Sequence, residues 1–427
     1  MHWKKFLFFY FQFIISLPLL HADNRVIPDT LSRTLEEEEK LFLDRNFQLL
    51  AAKYELSAAD AAIIQAKLYP NPNLLIDQGA YNKQTNKWFD LSKTGETAAS
   101  LQQVILLAGK RNKQINIAKL NSKISVYQFY DLIRTLRYEL HISFYELYYL
   151  IQSIAVYDKE IESLKSLTNT YTIQYNKGNI SFKELARLLA FQFSLENERA
   201  DLLKDVSDRQ YNLILLTADS LSHPVKPIVD TSIINNFKIS EINYLQLIDT
   251  GLVNRYDLLV ANTQLQLNEV NLSLQKALKV SDITLFANWD RQGNYIYNYN
   301  SLSLAINLPI WNRNQGNIKI AQDKIEENKE ILLQIELQVK NDISRAYNRL
   351  IESDKLYKSS SQQFNSNFEK LLDGITAAYQ NHSISLLEFI DYYETYKNSK
   401  MEFNKLQENR ISAMEGLSLA TGIDIFQ

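Results

Sequence analysis

The strongest constraint on this chain is an internal duplication. Residues 100–118 and residues 303–321 share one order of features: an apolar run with strand character, a polar turn, and a helix that begins with Ile-x-Ile-Ala. A second pair of segments, residues 175–181 and 379–385, repeats at nearly the same offset of about two hundred residues. Two markers at one offset indicate duplication of a whole structural unit, because a solenoid repeats at roughly 20–50 residues.

The N-terminus indicates export. Two lysines precede an apolar stretch over residues 6–20, and residues 20–22 offer a cleavage site. A basic start, a short apolar stretch and such a site are typical of a secretory signal peptide, which we assign to residues 1–22; an uncleaved anchor is the alternative. The chain contains no cysteine, so we expect neither disulfides nor a cysteine-linked lipid anchor.

Composition limits the partners and the architecture. A formal net charge of −3 without a basic tract argues against nucleic acid as a partner. Only 10 glycines and 7 prolines in 427 residues predict few turns and therefore few, long elements. The 25 tyrosines and 20 phenylalanines suit both helix packing and the aromatic girdles of a membrane interface.

The first repeat is predicted to cover residues 23–217. It begins with a single helix over about residues 35–68, which the prolines of the following corner end. A β-hairpin follows at about residues 74–107. A long helical hairpin then reverses at a tip near residues 177–179, where glycine relaxes the backbone and Ser181 can cap the returning helix. Residues 218–239 are predicted to form the linker between the repeats.

The second repeat is predicted to cover residues 240–427 on the same plan. A helix over residues 240–278 leads into a β-hairpin at about residues 283–310 and a helical hairpin with its tip near residues 380–383. The helix that follows the β-hairpin has apolar residues spaced by seven, a pattern that favours left-handed supercoiling against a neighbouring helix. These residues are Ile318, Ile325, Leu332, Val339 and Ala346.

The strands of the second hairpin are one-sided. Apolar residues alternate with polar ones, so that Leu302, Leu304 and Ile306 share one face and Ser301 and Ser303 the other. One-sided strands joined by polar turns are typical of a transmembrane barrel. A soluble hairpin packed on the helices explains the same alternation, and the pattern alone does not separate the two.

No sequence motif for catalysis is present. The chain has no phosphate-binding loop, no dinucleotide fingerprint, no His-Glu-x-x-His and no serine in a nucleophile elbow. We therefore expect that it is not an enzyme, needs no cofactor and has no metal site. His141, on a helix beside Phe144 and Tyr145, is interpreted as a packed histidine rather than a metal ligand.

Two corners and an acidic pair remain as candidate functional features. The corners join helix to strand at residues 69–73 and strand to helix at residues 307–318, where asparagines and a glycine can satisfy helix donors. Glu388 and Asp391 lie three residues apart on one helix face just past the second tip. A solvated surface is the usual explanation for such a pair.

Taken together, these segments resemble the TolC-like outer-membrane efflux proteins over essentially the whole chain after the signal. The resemblance rests on both corners and on the doubled tips, and the Asn-Arg-Asn-Gln-Gly string looks most like the heavy-metal (CzcC/CusC-like) branch. In residues 254–258, which resemble the family's Arg-Pro-Asp-Leu motif, Tyr256 stands where proline is usual. At the second tip His382 replaces the glycine, so we expect altered geometry there. The corner residues that carry the family motifs are Pro70, Asn71, Pro72, Pro309, Asn312, Arg313, Asn314 and Gly316.

The resemblance implies a fold that is mainly α with a small β part. A duplicated helix–strand–strand–helix–helix unit would form a homotrimer. Four strands per protomer would close a 12-stranded transmembrane β-barrel, and the helices would form an α-barrel tunnel. The implied location is the cell outer membrane, with an extension into the periplasm.

The resemblance also implies partners and sites. The chain would be the passive exit duct of a tripartite efflux system, with a periplasmic membrane-fusion adaptor and an inner-membrane pump of the RND type. Its cargo would be heavy-metal cations; a duct for drugs or secreted proteins, or a non-pore periplasmic helical scaffold, are the alternatives. Glu388 and Asp391 would form the periplasmic aperture. Repulsion among the clustered carboxylates would raise some of their pKa values, and their negative charge would attract cations. The adaptor-docking tips would be Lys177, Gly178, Asn179, Asn381, His382 and Ser383.

Overall fold

The computed structural model describes residues 30–219, 223–231, 237–239, 242–292, 296–361 and 371–426. The signal assignment at residues 1–22 lies outside these residues, as do parts of the predicted linker. Among the described residues, no helix is both long and apolar enough to cross a membrane.

Repeat one begins with two short helices, α1 (Leu35–Arg45) and α2 (Phe47–Lys67). The prediction of one continuous helix here is wrong. Asn46 adopts an extended ψ of 122° and ends α1. Its side chain accepts a hydrogen bond from Leu49 N (3.0 Å) and donates one to the carbonyl of Leu216 (2.8 Å), so a contact distant in sequence fixes the break.

The long hairpin of repeat one consists of α3 (Lys110–Asn176) and α4 (Phe182–Thr217). With 67 residues, α3 is about 100 Å long. Ser181 caps α4, as the sequence predicts, by accepting a hydrogen bond from Glu184 N.

Repeat two follows with α5 (Tyr244–Asn254), α6 (Tyr256–Leu278) and α7 (Gln315–Ser361). Here too the single predicted helix is wrong, because Arg255 has a ψ of 122° and separates α5 from α6. Two further helices, α8 (Leu371–Gln380) and α9 (Leu386–Thr421), complete the second hairpin.

Eight strands form three small sheets in the described part of the chain. A parallel pair joins β1 (Leu31–Thr34) to β6 (Val225–Ile228), so the predicted linker contains a strand that the sequence analysis missed. A short antiparallel pair, β3 (Tyr81–Asn82) and β4 (Lys87–Trp88), lies inside the first hairpin loop. The main sheet has the order β2-β5-β7-β8. Its strands are β2 (Asn73–Gln78), β5 (Thr97–Ile105), β7 (Ile283–Asp290) and β8 (Tyr299–Ile306).

The strand register places both hairpins in one antiparallel sheet. β5 of repeat one pairs with β7 of repeat two, for example Leu101 with Ala287 and Gln103 with Leu285. β2 and β8 are the outer strands of this sheet. The duplication therefore continues across the centre of the sheet, with one hairpin from each repeat on either side.

In the described part of the chain, the helices enclose three large apolar clusters and a small one at Tyr149 and Ile411. The middle of repeat one is packed by side chains of α1 to α4, and the middle of repeat two by α5, α6, α7 and α9. The third cluster lies nearer the tips and joins both repeats through α3, α4, α8 and α9. Fully buried representatives of the three clusters are Leu140, Phe144, Val339, Ile343, Leu188 and Phe389.

Candidate functional site

One face of the main sheet is mainly apolar, and the other carries a polar network together with Leu75 and Phe286. On the polar face the Asn288 side chain accepts a hydrogen bond from Ser100 Oγ (2.6 Å) and donates to Ser303 Oγ (3.2 Å), which connects three strands. The apolar face is largely uncovered: the exposed fraction is 88% for Leu302 and 61% for Leu304. This exposure contradicts the alternative of a soluble hairpin packed on the helices.

The first corner connects α2 to β2 and is tied to repeat one at two points. Gln103 Nε2 donates to the carbonyl of Pro70 (2.9 Å). The Arg111 guanidinium lies 4.0 Å from the centre of the Tyr69 ring, and its Nε donates to the carbonyl of Lys67 (2.9 Å). Asn71 and Pro72 complete this turn and are exposed.

The second corner connects β8 to α7. Asn314 adopts a left-handed φ of +59°, and its side chain donates to the carbonyl of Gln275 near the end of α6 (2.8 Å). Asn312 Oδ1 accepts from Asn314 N (3.0 Å). The side chains therefore hold the turn against a neighbouring helix. Pro309, Arg313 and Gly316 lie exposed in the same corner.

The two hairpin tips follow the same backbone path. Gly178 and His382 both have left-handed φ values, +75° and +57°. At the first tip Asn179 N donates to the carbonyl of Gln174 (2.9 Å), and at the second Ser383 N donates to that of Ala378 (2.9 Å). These bonds are the six-residue closure of a Schellman motif. The expectation of altered geometry at the second tip is therefore wrong.

The side chains at the tips are available for contact. All six predicted docking residues, from Lys177 to Asn179 and from Asn381 to Ser383, are exposed. Added bulk at Gly178 would enter open space, because a Cβ there meets no atom within 4 Å. The first tip also carries Phe182, which is 62% exposed and lies 5.7 Å from the Tyr175 ring.

Glu388 and Asp391 lie in the first turns of α9 and are exposed. Glu388 belongs to a capping box: its Oε2 accepts from Ser385 N and from Ser385 Oγ, each at 2.8 Å. These bonds lower the pKa of Glu388 within one protomer. A raised pKa, as expected for clustered carboxylates, would require the charges of neighbouring protomers.

A charged cluster in the middle of the molecule was not predicted from the sequence. We call it the clasp, and it consists of Glu39, His141, Glu415 and Arg137. His141 Nε2 lies 2.6 Å from Glu39 Oε1, and His141 Nδ1 lies 2.8 Å from Glu415 Oε2. Arg137 Nε lies 3.2 Å from Glu39 Oε1. His141 is thus packed, as predicted, but between two carboxylates of α1 and α9. Burial alone would lower the pKa of His141; the bonds to Glu39 and Glu415 outweigh it and raise the pKa to about 9.

A second missed group is Glu160, which is fully buried in α3. Neither of its carboxylate oxygens has a hydrogen-bond partner. Burial raises the pKa of this carboxyl to about 8, against the opposing charge of Lys397. A signal was available in the sequence, because Tyr157, Ile161 and Leu164 place Glu160 on the apolar face of the helix.

Comparison with known proteins agrees with this geometry. Residues 40–218 match the family described as outer membrane efflux protein. The cobalt-zinc-cadmium resistance protein CzcC of Cupriavidus metallidurans is 20% identical over 370 residues, which are 87% of this chain and 85% of that protein. No group of three or more histidine, cysteine, aspartate or glutamate side chains in the described part of the chain could hold a metal ion.

Solved structures share the fold. The CmeC outer membrane channel of Campylobacter jejuni superposes with a TM-score of 0.75 at 15% identity, covering 91% of this chain and 85% of that one. CusC superposes with a TM-score of 0.74 at 16% identity, covering 91% and 92%. The sequence-based family assignment and localisation are thereby confirmed. As the sequence predicts, residues 40–218 match the outer membrane efflux protein family, and the chain as a whole shares the fold of CmeC and CusC.

Proposed function

We propose that this protein is the outer-membrane exit duct of a tripartite efflux system. The observation that carries the proposal is the main sheet, whose apolar face is exposed and whose opposite face is a hydrogen-bonded polar surface. A sheet of this kind suits lipid on one side and a water-filled lumen on the other. Family membership supports the same function.

The two edges of the sheet support closure by identical copies. β2 and β8 are both outer strands, and their unpaired backbone groups need partners inside a membrane. If β8 of one protomer pairs with β2 of the next, three copies form a ring of twelve strands. A head-to-tail contact that closes in this way gives a cyclic trimer.

The helices carry matching apolar surfaces for such a ring. α4 exposes a row of large apolar side chains along one side, and α7 exposes large apolar side chains on two opposite sides. Uncovered rows of this length indicate an interface. We propose that α4 of one protomer packs against α7 of its neighbour, which would complete the tunnel wall. The row on α4 consists of Leu189, Phe193, Leu203, Tyr211 and Leu215. On α7, Ile331 and Leu356 lie on one side and Leu333 and Leu337 on the other.

The tips would face the adaptor, and an inner-membrane pump of the RND type would supply the energy for passive exit through the duct. Heavy-metal cations are the proposed cargo, supported by the relative that is named for cobalt, zinc and cadmium resistance. A strain that lacks the gene should lose tolerance to these ions before it loses tolerance to drugs. Loss of drug tolerance alone would favour the alternative cargo.

The membrane assignment is tested by one residue on each face of β8. Leu304→Arg would place a charge on the apolar face, at a cost of about 2–4 kcal/mol near the bilayer midplane, whereas Ser303→Arg points to the polar face. We expect Leu304→Arg to lower the yield of trimer in isolated outer membranes and Ser303→Arg to leave it near wild type. Equal yields for the two variants would contradict the proposal.

A further inference from the structure

The loop between β2 and β5, residues 79–96, displays large apolar side chains at the end of the sheet remote from the helices. Trp88 is 71% exposed, Phe89 63% and Leu91 72%. Phe89 has a left-handed φ of +46°, an unfavourable conformation for a bulky residue. A surface loop that holds three such residues in water indicates an interaction surface.

The carboxylate of Asp90 holds the shape of this loop through hydrogen bonds. Asp90 Oδ2 accepts hydrogen bonds from Asn82 Nδ2 (2.9 Å) and Thr85 Oγ1 (2.8 Å), and its Oδ1 accepts from Ser92 N (3.0 Å). Asp90 is itself buried. The loop therefore has a fixed shape, and its apolar residues lie outside a polar centre.

The second repeat holds the same loop from the other side. Arg291 NH1 donates to the carbonyl of Leu91 (2.9 Å), and Gln292 Nε2 donates to that of Lys93 (2.7 Å). Tyr297 Oη also donates to the Lys93 carbonyl (3.1 Å). The position of Trp88 and Phe89 is thus coupled to the main sheet.

The charges around the display are positive. Lys83, Lys87 and Lys93 are exposed in the loop. Of its two acidic residues, Asp90 is engaged by the internal hydrogen bonds, and only Glu96 lies outside that network. Three ammonium groups around indole and phenyl rings match the chemistry of a phosphate-bearing headgroup layer, where aromatic rings lie at the boundary and lysines reach the phosphates.

We propose that residues 79–96 dock on the anionic, phosphate-bearing headgroup surface of the outer leaflet. Trp88 and Phe89 enter the boundary between headgroups and acyl chains, and the three lysines bind lipid phosphates. This inference rests on the proposed outer-membrane function, because it requires that the main sheet spans the bilayer.

The test uses tryptophan variants of the full chain in vesicles that contain phosphatidylcholine with brominated acyl chains. Trp3→Phe, Trp289→Phe and Trp311→Phe together leave Trp88 as the single tryptophan, which reports on the loop. The reference variant carries Leu304→Trp with Trp3→Phe, Trp88→Phe, Trp289→Phe and Trp311→Phe, and it reports on the sheet. Vesicles are prepared with and without phosphatidylglycerol, and a further set carries Lys83→Gln, Lys87→Gln and Lys93→Gln.

We expect brominated lipid to quench Trp88, with stronger quenching when phosphatidylglycerol is present, and the three lysine substitutions to remove that dependence. Quenching of the Leu304→Trp reference variant without quenching of Trp88 would overturn the loop proposal and leave the duct intact. Quenching of neither would contradict the duct itself. Quenching of Trp88 that is equal with and without phosphatidylglycerol would overturn the proposed contact between the lysines and lipid phosphates.

Discussion

The two hairpin tips share a backbone and differ in chemistry. Gly178 and His382 occupy the same left-handed position, and the same closure bond follows each of them. Glycine reaches this conformation without strain, whereas histidine meets a steric cost there, so the hydrogen bonds and not the residue type determine the path. The duplicated unit has kept its geometry where the side chain at its most constrained position has changed.

The charges beyond the tips diverge further. In repeat one, Glu184 and Arg187 occupy the steps that Glu388 and Asp391 occupy in repeat two. Both glutamates follow an N-capping serine, but only Glu388 returns its carboxylate to complete a capping box. The backbone path is therefore the same in both repeats, while only the second repeat has two carboxylates at these steps.

The largest expected effect separates docking from folding at the first tip. We expect Gly178→Trp to abolish efflux while trimers remain intact. The left-handed φ of +75° adds a local cost of about 1–2 kcal/mol, but the added side chain meets no neighbour in the protomer and would obstruct the adaptor. The measurement is cargo tolerance in cells together with trimer yield in outer membranes.

His382→Trp is the matched variant at the second tip. A similar loss would show that both tips dock, and a smaller loss would assign docking mainly to the first. Normal efflux from Gly178→Trp would contradict the docking role, as would cross-linking of the adaptor to the strands instead.

The next effect concerns the clasp that joins the repeats. Because the pKa of His141 is raised from 6.5 to about 9, its stabilisation is fully present below pH 6.5 and is lost as the pH rises through 9. His141→Gln should therefore lower the free energy of unfolding by roughly 3 kcal/mol at pH 6.5 and by much less at pH 10. Unfolding followed by circular dichroism at both pH values measures the difference.

The exposed residue His382 supplies the control for this experiment, since His382→Gln lies far from the clasp. A loss of stability in His141→Gln that is the same at pH 6.5 and pH 10 would mean that packing, and not charge, accounts for the role of His141.

The smallest effect sharpens the comparison of the tips directly. His382→Gly should stabilise the second hairpin by about 1 kcal/mol, because glycine adopts the left-handed conformation without a steric penalty. Hydrogen exchange of the Ser383 amide, which closes the tip, measures this local change. Faster exchange in the variant would show that the histidine side chain itself supports the turn.

Local patterns predicted much of the architecture. The seven-residue spacing on α7 identifies residues that are buried, such as Ile325 and Val339, because periodicity and packing reflect the same helix geometry. The alternation in β8 likewise separates the exposed apolar face from the polar one. The first tip followed from Gly178 and from the capping residue Ser181, and the second tip followed from the internal repeat.

Contacts between distant residues were not predictable. The break at Asn46 depends on the carbonyl of Leu216, and the clasp brings Glu39, His141 and Glu415 together from three helices. The parallel pairing of β1 with β6 is a contact of the same kind. Each strand has four residues, which is too few for an alternation that would predict the pairing. In each case tertiary packing decided a structure that local preference left open.

The most direct test of the central claim is the conductance of the purified protein in planar bilayers. We expect wild type to give discrete steps, and Glu388→Ala with Asp391→Ala to increase the resting conductance and weaken block by multivalent cations, because three protomers would bring six carboxylates to a narrow aperture. Glu184→Ala with Arg187→Ala is the matched change in repeat one and should leave the block unchanged. No conductance from wild type would contradict the duct. Unchanged conductance and block in the Glu388 and Asp391 variant would show that these residues belong to a solvated helix face and not to an aperture.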